Sequence, residues 1–165
     1  MLLRHGKSDW SSGTGDFDRP LAPRGLRDAP MMGRFLKNAG LTPDLIFSSP
    51  AKRAAETAES VAEASGAGGG ALRFVDGFYG CSVGAYSAEI RRAPDSAGVL
   101  LLVGHNPTME EAVSSFAAEG RLSLDFPTCA LACLDIPYGA WSDFAPGTSS
   151  LRFFIVPKAL KGSMR

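Results

Sequence analysis

The chain has 165 residues, a length that suits one compact domain spanning 1–165. It is 45% hydrophobic and 21% charged, and its net charge of +0 leaves no electrostatic case for nucleic-acid binding. No apolar run approaches the roughly 20 residues that cross a bilayer, and no leader pattern is visible, so neither a membrane span nor export is expected.

The first five residues, MLLRH, read as a short strand. SDWSSGTGDFDRPLAPRG is rich in turn formers and reads as a long loop. LRDAPMMGRFLKNAG places Leu26, Ala29, Met32 or Gly33, and Leu36 at helical spacing, with Gly40 as the expected C-cap. Pro30 interrupts that pattern. A start capped by Asp28 would put the proline in the first turn, where it is tolerated. PDLIFSS is the second strand. In SPAKRAAETAESVAEAS, Ser49 is the expected N-cap and Pro50 the first helical residue, with Ala54, Ala58, Val61 and Ala62 on one face.

GAGGG at 66–70 is a connector too short to divide domains. ALRFV is a third strand, followed by an irregular stretch and a short helix near YSAEIRRA. GVLLLVGH is a continuous apolar run, as in a strand buried on both faces. PTMEEAVSSFAAEG is a helix, and CALACLDI and SLRFFIV are late strands. Cys81, Cys129 and Cys133 make an odd count with no CxxC pair, which fits a reducing, cytoplasmic setting. Cys129 and Cys133 share parity within their strand and are expected to pack on one face, as small hydrophobes rather than as a nucleophile.

Strands alternating with helices argue for an α/β/α sandwich around a mainly parallel sheet. In such folds ligands lie beyond the carboxyl ends of the strands. Arg4-His5, Ser48-Ser49 and Gly104-His105-Asn106 all fall at such ends, and His5 and His105 are the only histidines. Arg53 follows on the first turn of the next helix. Arginine forks hold phosphate bidentately and keep their charge. A helix start at Ser49-Pro50-Ala51 adds donors, and Gly6 and Gly104 would let the backbone approach closely. A neutral imidazole there can attack phosphorus once a backbone acceptor fixes its tautomer. The other histidine, if protonated, can neutralise charge in the transition state. Which histidine does which is open on spacing alone. So is the plainer reading, in which both are hydrogen-bonded structural residues. A metal site lacks an obvious third ligand.

The motifs RHG at 4–6, SSPAKRAAETA at 48–58 and VGHNP at 103–107 resemble those of the histidine phosphatase superfamily, with its phosphoglycerate mutase-like fold. LLRHGKSDW, DFDRPLAPRG, PDLIFSSPAKRAAETAE, LLLVGHNPTMEE and FPTCAL together are similar to its SixA-type phosphohistidine phosphatase branch. The resemblance runs from Met1 to about residue 136. It implies His5 as the nucleophile that becomes phosphohistidine. Arg4 and Arg53 would bind the phosphoryl group, and His105 would complete the pocket. It implies no metal and no organic cofactor. The implied substrate is phosphohistidine in a protein, with a small-molecule phosphomonoester as the alternative and a non-catalytic phosphate-binding module as a third reading. A monomer is expected. The short span from Val75 to Val99 leaves little chain for a lid, which suits a protein substrate.

Several positions depart from the family pattern. Ser11 follows Trp10 where mutase-like members carry an asparagine. Asp76, in VDGFYGCSVG, stands near the place of a glutamate proton donor, and is either a general acid or an Asp-Gly turn residue. Asp18 and Arg19 either line the rim or pair to pin the long loop; pairing is the expectation. Only three residues precede Arg4, so the first strand is short or the start is trimmed.

Overall fold

The computed structural model describes residues 1–118, 122–137 and 139–162. Six strands form one sheet: β1 (Leu2–Arg4), β2 (Leu45–Ser48), β3 (Leu72–Phe74), β4 (Leu100–Gly104), β5 (Leu131–Asp135) and β6 (Ser150–Ile155). Their order is β3-β2-β4-β1-β5-β6. The first four strands in that order run parallel, and β5 and β6 add to the β1 edge antiparallel. The helices are α1 (Pro23–Asn38), α2 (Lys52–Ser65), α3 (Val83–Arg91), α4 (Thr108–Phe116) and α5 (Pro157–Gly162).

The period of two along each strand sorts the core into two layers. Leu2, Phe47, Leu100 and Leu102 face α3 and α4, where they meet Tyr86, Ile90, Met109, Val113 and Phe116. Leu3, Ile46, Leu101 and Val103 face α1 and α2, against Met32, Leu36, Ala54, Ala58 and Val61. The expected α/β/α sandwich with a mainly parallel sheet is therefore the observed one. Among the described residues, no helix is long and apolar enough to cross a membrane.

Local details differ from expectation. α1 begins at Pro23, and Pro30 lies inside it. Asp28 caps nothing; it is buried and ion-paired with Lys161 Nζ at 2.8 Å. The helix keeps its course past the proline because its buried face, Ala29, Met31, Met32 and Leu36, is held by the core. Gly40 does follow its last turn with a left-handed φ of 68°. α2 begins at Lys52 rather than Pro50, and Ser49 is not its cap. Cys129 precedes β5 with φ of 63°, so strand parity does not relate it to Cys133. All three cysteines are free. The Asp76–Phe78 3₁₀ turn fits the Asp-Gly turn reading, while the short α5 and the Trp141–Asp143 turn carried no sequence signal. The helix expected through Gly120 ends at Phe116; Glu119 and Gly120 lie outside the described residues.

Candidate active site

The parallel register puts three strand ends side by side. Arg4 pairs with Gly104, and Ser48 with Val103. Each chain then turns off the sheet with one more backbone bond: the His5 N–H donates to Gly104 O at 3.0 Å and the Ser49 N–H to Val103 O at 3.0 Å. The two histidine rings, a hundred residues apart in sequence, lie 5.0 Å apart between centroids.

His5 is buried, 7% exposed. Its Nδ1 lies 2.7 Å from Gly6 O, an acceptor only, so Nδ1 carries the proton. Nε2 is left with its lone pair, and Arg53 Nε donates to it at 3.3 Å. The Gly6 peptide is itself anchored. Its N–H donates to Thr57 Oγ1 at 3.0 Å, and that hydroxyl donates to Arg53 O at 2.6 Å. Thr57 stands one helical turn after Arg53 on α2, so one helix face supplies both the guanidinium and the anchor. Desolvation by burial, then His105, Arg53 and Arg4, hold the His5 pKa down at about 3, against the pull of the Gly6 carbonyl.

His105 Nε2 shares a 2.9 Å hydrogen bond with Ser49 Oγ. Its Nδ1 is buried without a hydrogen-bond partner among the described residues. Burial and Arg53 bring its pKa to about 4, with Asp16 opposing. Burial and the neighbouring guanidinium therefore favour the neutral form of both imidazoles. A neutral His105 ring can offer one N–H. Ser49, expected as a helix cap, uses its hydroxyl here; it also accepts the Ala51 N–H at 3.3 Å.

Arg4 enters from β1, and one of its terminal nitrogens donates to Phe126 O at 2.7 Å. That carbonyl also accepts from Asn106 Nδ2 at 3.1 Å, and Glu110 Oε1 accepts from both Asn106 Nδ2 (2.6 Å) and the Phe126 N–H (3.1 Å). Cys129, in its left-handed conformation, donates its N–H to both Arg4 O and His5 O. The FPTC turn is thus a clamp on the RHG segment.

The structure gathers His5, Arg53, His105 and Arg4 at one sheet edge. Asp76 is exposed at the start of its 3₁₀ turn and makes no hydrogen bond or ion pair to those four among the described residues. Tyr79, three residues on, reaches the site instead, with its ring edge on His105 at 5.8 Å between centroids. Arg19 is buried and pairs with Asp16 at 2.6 Å, so the loop pin uses Asp16 where Asp18 was expected. Arg19 also covers the Trp10 ring at 3.6 Å and donates to Ser8 Oγ. Ser11 turns to Asp9. Gly6 and Gly104 are required by packing: a Cβ on Gly6 would meet Gly25 Cα and Leu21 at 3.1 Å, and one on Gly104 would collide with the Tyr86 hydroxyl.

Asp16, Tyr79 and Thr57 were missed as site residues. Thr57 had a signal, its spacing of four from Arg53 within SSPAKRAAETA. Asp16 sat beside Asp18 with nothing to separate them, and Tyr79 lies in a stretch without periodicity. Among the described residues no cluster of three or more His, Cys, Asp or Glu is placed to hold a metal.

Residues 1–95 match the model of the histidine phosphatase superfamily, branch 1. The chain belongs to that superfamily. Within it, a SixA chain from Agrobacterium tumefaciens is 31% identical, with a TM-score of 0.76 over 94% of this chain and 96% of that one. The protein histidine phosphatase SixA, solved with tungstate, superposes at a TM-score of 0.81 over 96% of this chain and 97% of its own, at 22% identity, and so speaks for the fold. An uncharacterized Mycobacterium tuberculosis protein is 35% identical over 94% of this chain and all of its own length. These likenesses place the chain in the SixA-type branch of the superfamily.

Proposed function

We propose that this protein is a phosphatase that removes the phosphoryl group from phosphohistidine in a protein, through a covalent phosphohistidine on His5. The observation that carries the reading is the fixed tautomer. With Nδ1–H held by Gly6 O, Nε2 keeps its lone pair, which accepts from Arg53 Nε at 3.3 Å, and the His105 ring lies 5.0 Å away between centroids. The superfamily membership and the SixA-type relatives support it.

The chemistry follows from those positions. Arg53 and Arg4 neutralise the phosphoryl oxygens. The Nε2 lone pair forms the bond to phosphorus as the bond to the leaving nitrogen breaks. The phosphorylated ring becomes cationic, and the Gly6 carbonyl stabilises its Nδ1–H. His105 offers an N–H to an equatorial oxygen. Water then attacks phosphorus and the P–Nε2 bond breaks. The pair returns to the ring, one water proton stays on the phosphate and the other leaves to solvent. No step needs a metal or an organic cofactor.

The test is phosphate release from a phosphohistidine peptide and from p-nitrophenyl phosphate, side by side, with His5→Ala as control and a chelator present. Faster, His5-dependent and chelator-insensitive release from phosphohistidine is expected. Release from the ester alone would move the protein to small-molecule phosphomonoesters. Binding of phosphate with no release from either would leave a binding module, and strong inhibition by the chelator would overturn the metal-free mechanism.

A further inference from the structure

Asp16 lies on a loop between Gly13 and Arg19, and its side chain is half exposed. Yet it is held at the site by three residues. Oδ2 accepts from Arg53 at 3.0 Å and from the Tyr79 hydroxyl at 2.8 Å, and Oδ1 accepts from Arg19 at 2.6 Å. Its backbone carbonyl accepts the other terminal nitrogen of Arg53. A single guanidinium separates this carboxylate from His5 Nε2, since Arg53 Nε reaches the nucleophile while its terminal nitrogens reach Asp16. A loop therefore brings a half-exposed carboxylate, paired with Arg53 and Arg19, beside the proposed phosphate site. That placement is puzzling for a dianion pocket in general, because the carboxylate repels a phosphoryl group and anything acidic attached to it.

The puzzle resolves if the leaving group is a cation. We infer that Asp16 selects substrates by leaving-group charge, favouring a protonated nitrogen leaving group and rejecting an anionic one. The inference rests on the proposed phosphohistidine activity and deepens it. In a protonated phosphohistidine the ring nitrogen remote from phosphorus carries a proton and the ring is cationic. When His5 Nε2 attacks, the electron pair of the P–N bond returns to the leaving nitrogen and neutralises the ring. A neutral imidazole departs with its remote N–H intact, and no acid has to supply a proton. In this scheme the ionised Asp16 carboxylate, one guanidinium away from His5 Nε2 and bonded to Tyr79, accepts the remote N–H of the departing ring and keeps it protonated. An ester oxygen leaving with the same pair departs as an alkoxide and needs a proton. Asp16 is a poor source: Tyr79 first, then Arg53 and Arg19, hold its carboxyl below the usual carboxylate range. Asp76, exposed on its 3₁₀ turn, contacts none of these groups among the described residues. Among the described residues, neither Asp16 nor Asp76 is therefore placed to act as the acid, and Asp16 is left as a cation acceptor.

The experiment compares kcat/KM on three substrates: a phosphohistidine peptide, the cationic ester phosphoethanolamine and the anionic ester 3-phosphoglycerate. Each is measured at low and high salt for the wild type, Asp16→Asn and Asp16→Glu. The wild type is expected to prefer the cationic ester. Asp16→Asn should shrink the cationic-to-anionic ratio by about ten- to a hundredfold, the range of one charge-assisted hydrogen bond. Asp16→Glu should keep much of the ratio, and salt should weaken it in the wild type. An equal loss on all substrates in Asp16→Asn would show that Asp16 only props Arg53, and would overturn the inference. So would a ratio indifferent to Asp16. If the ester ratio follows Asp16 but the peptide is never turned over, the phosphohistidine activity falls and charge selection stands.

Discussion

Thr57 reaches the nucleophile only through a peptide. Its hydroxyl takes the Gly6 N–H, and the Gly6 carbonyl takes the His5 Nδ1–H. Neither contact touches a substrate, so Thr57 is a positioning residue for the tautomer. Thr57→Val keeps the shape and removes the acceptor. It leaves a buried N–H unpaired, at a cost of about 1–3 kcal/mol in stability. Beyond that loss, kcat should fall about ten- to a hundredfold with KM little changed, because a misplaced or mis-protonated Nε2 attacks poorly. Imidazole ¹⁵N shifts give the readout that a merely structural role would not move. The wild type should show His5 protonated on Nδ1, and Thr57→Val a mixture of tautomers. A single Nδ1–H tautomer in the variant would sink the assignment. Ser49→Ala remains a useful companion in such spectra, since its hydroxyl is the partner of His105 Nε2.

The elements show where the sequence was legible. β4 was plain because five consecutive apolar or glycine residues, Leu100–Gly104, are all buried, as both faces of a central parallel strand must be. Arg4, His5, Arg53 and His105 could be expected to lie together because each stands at a strand end or on the first turn after one, and parallel pairing brings such ends together. Helix starts were less legible. Ser49-Pro50 has the composition of a cap, but the Ser49 hydroxyl is engaged by His105, a contact between residues 56 apart in sequence. Pro30 reads locally as a helix start, yet tertiary packing carries α1 through it. Asp16 and Tyr79 were illegible for the same physical reason. Their contacts with Arg53 and His105 depend on how two irregular loops drape over the sheet edge, and no periodicity encodes that. The Cys129 turn, which clamps Arg4 and His5 through one N–H, was hidden by an apparent strand parity.

At the scale of the whole molecule, the site is a built-in strain on stability in acid. The folded state holds His5 at about 3 and His105 at about 4, each by burial first and then by neighbouring cations. The unfolded chain protonates both near 6.5. Between about pH 6.5 and 4 the unfolded state therefore binds more protons than the folded one. Stability is full above about 6.5 and is lost as pH falls, by at most about 1.4 kcal/mol per pH unit for each histidine. The fall levels off only below about 3, where the folded rings also charge. Urea midpoints from pH 7 to 4.5 should drop in the wild type and drop less in His5→Ala/His105→Ala. Equal slopes would mean that the folded site does not hold the rings neutral.

The fold as a whole serves one placement: a lone pair on His5 Nε2 held against Arg53 at the carboxyl ends of parallel strands. The measurement that tests this most directly is capture of the phosphoenzyme. The protein is mixed with a phosphohistidine peptide, quenched within the first turnover in alkali, which preserves phosphoramidates, and mapped by mass spectrometry. An acid-labile, alkali-stable phosphoryl group is expected on His5 and is expected to be absent in His5→Ala. Phosphate release with no such adduct, or an adduct on His105 instead, would contradict it.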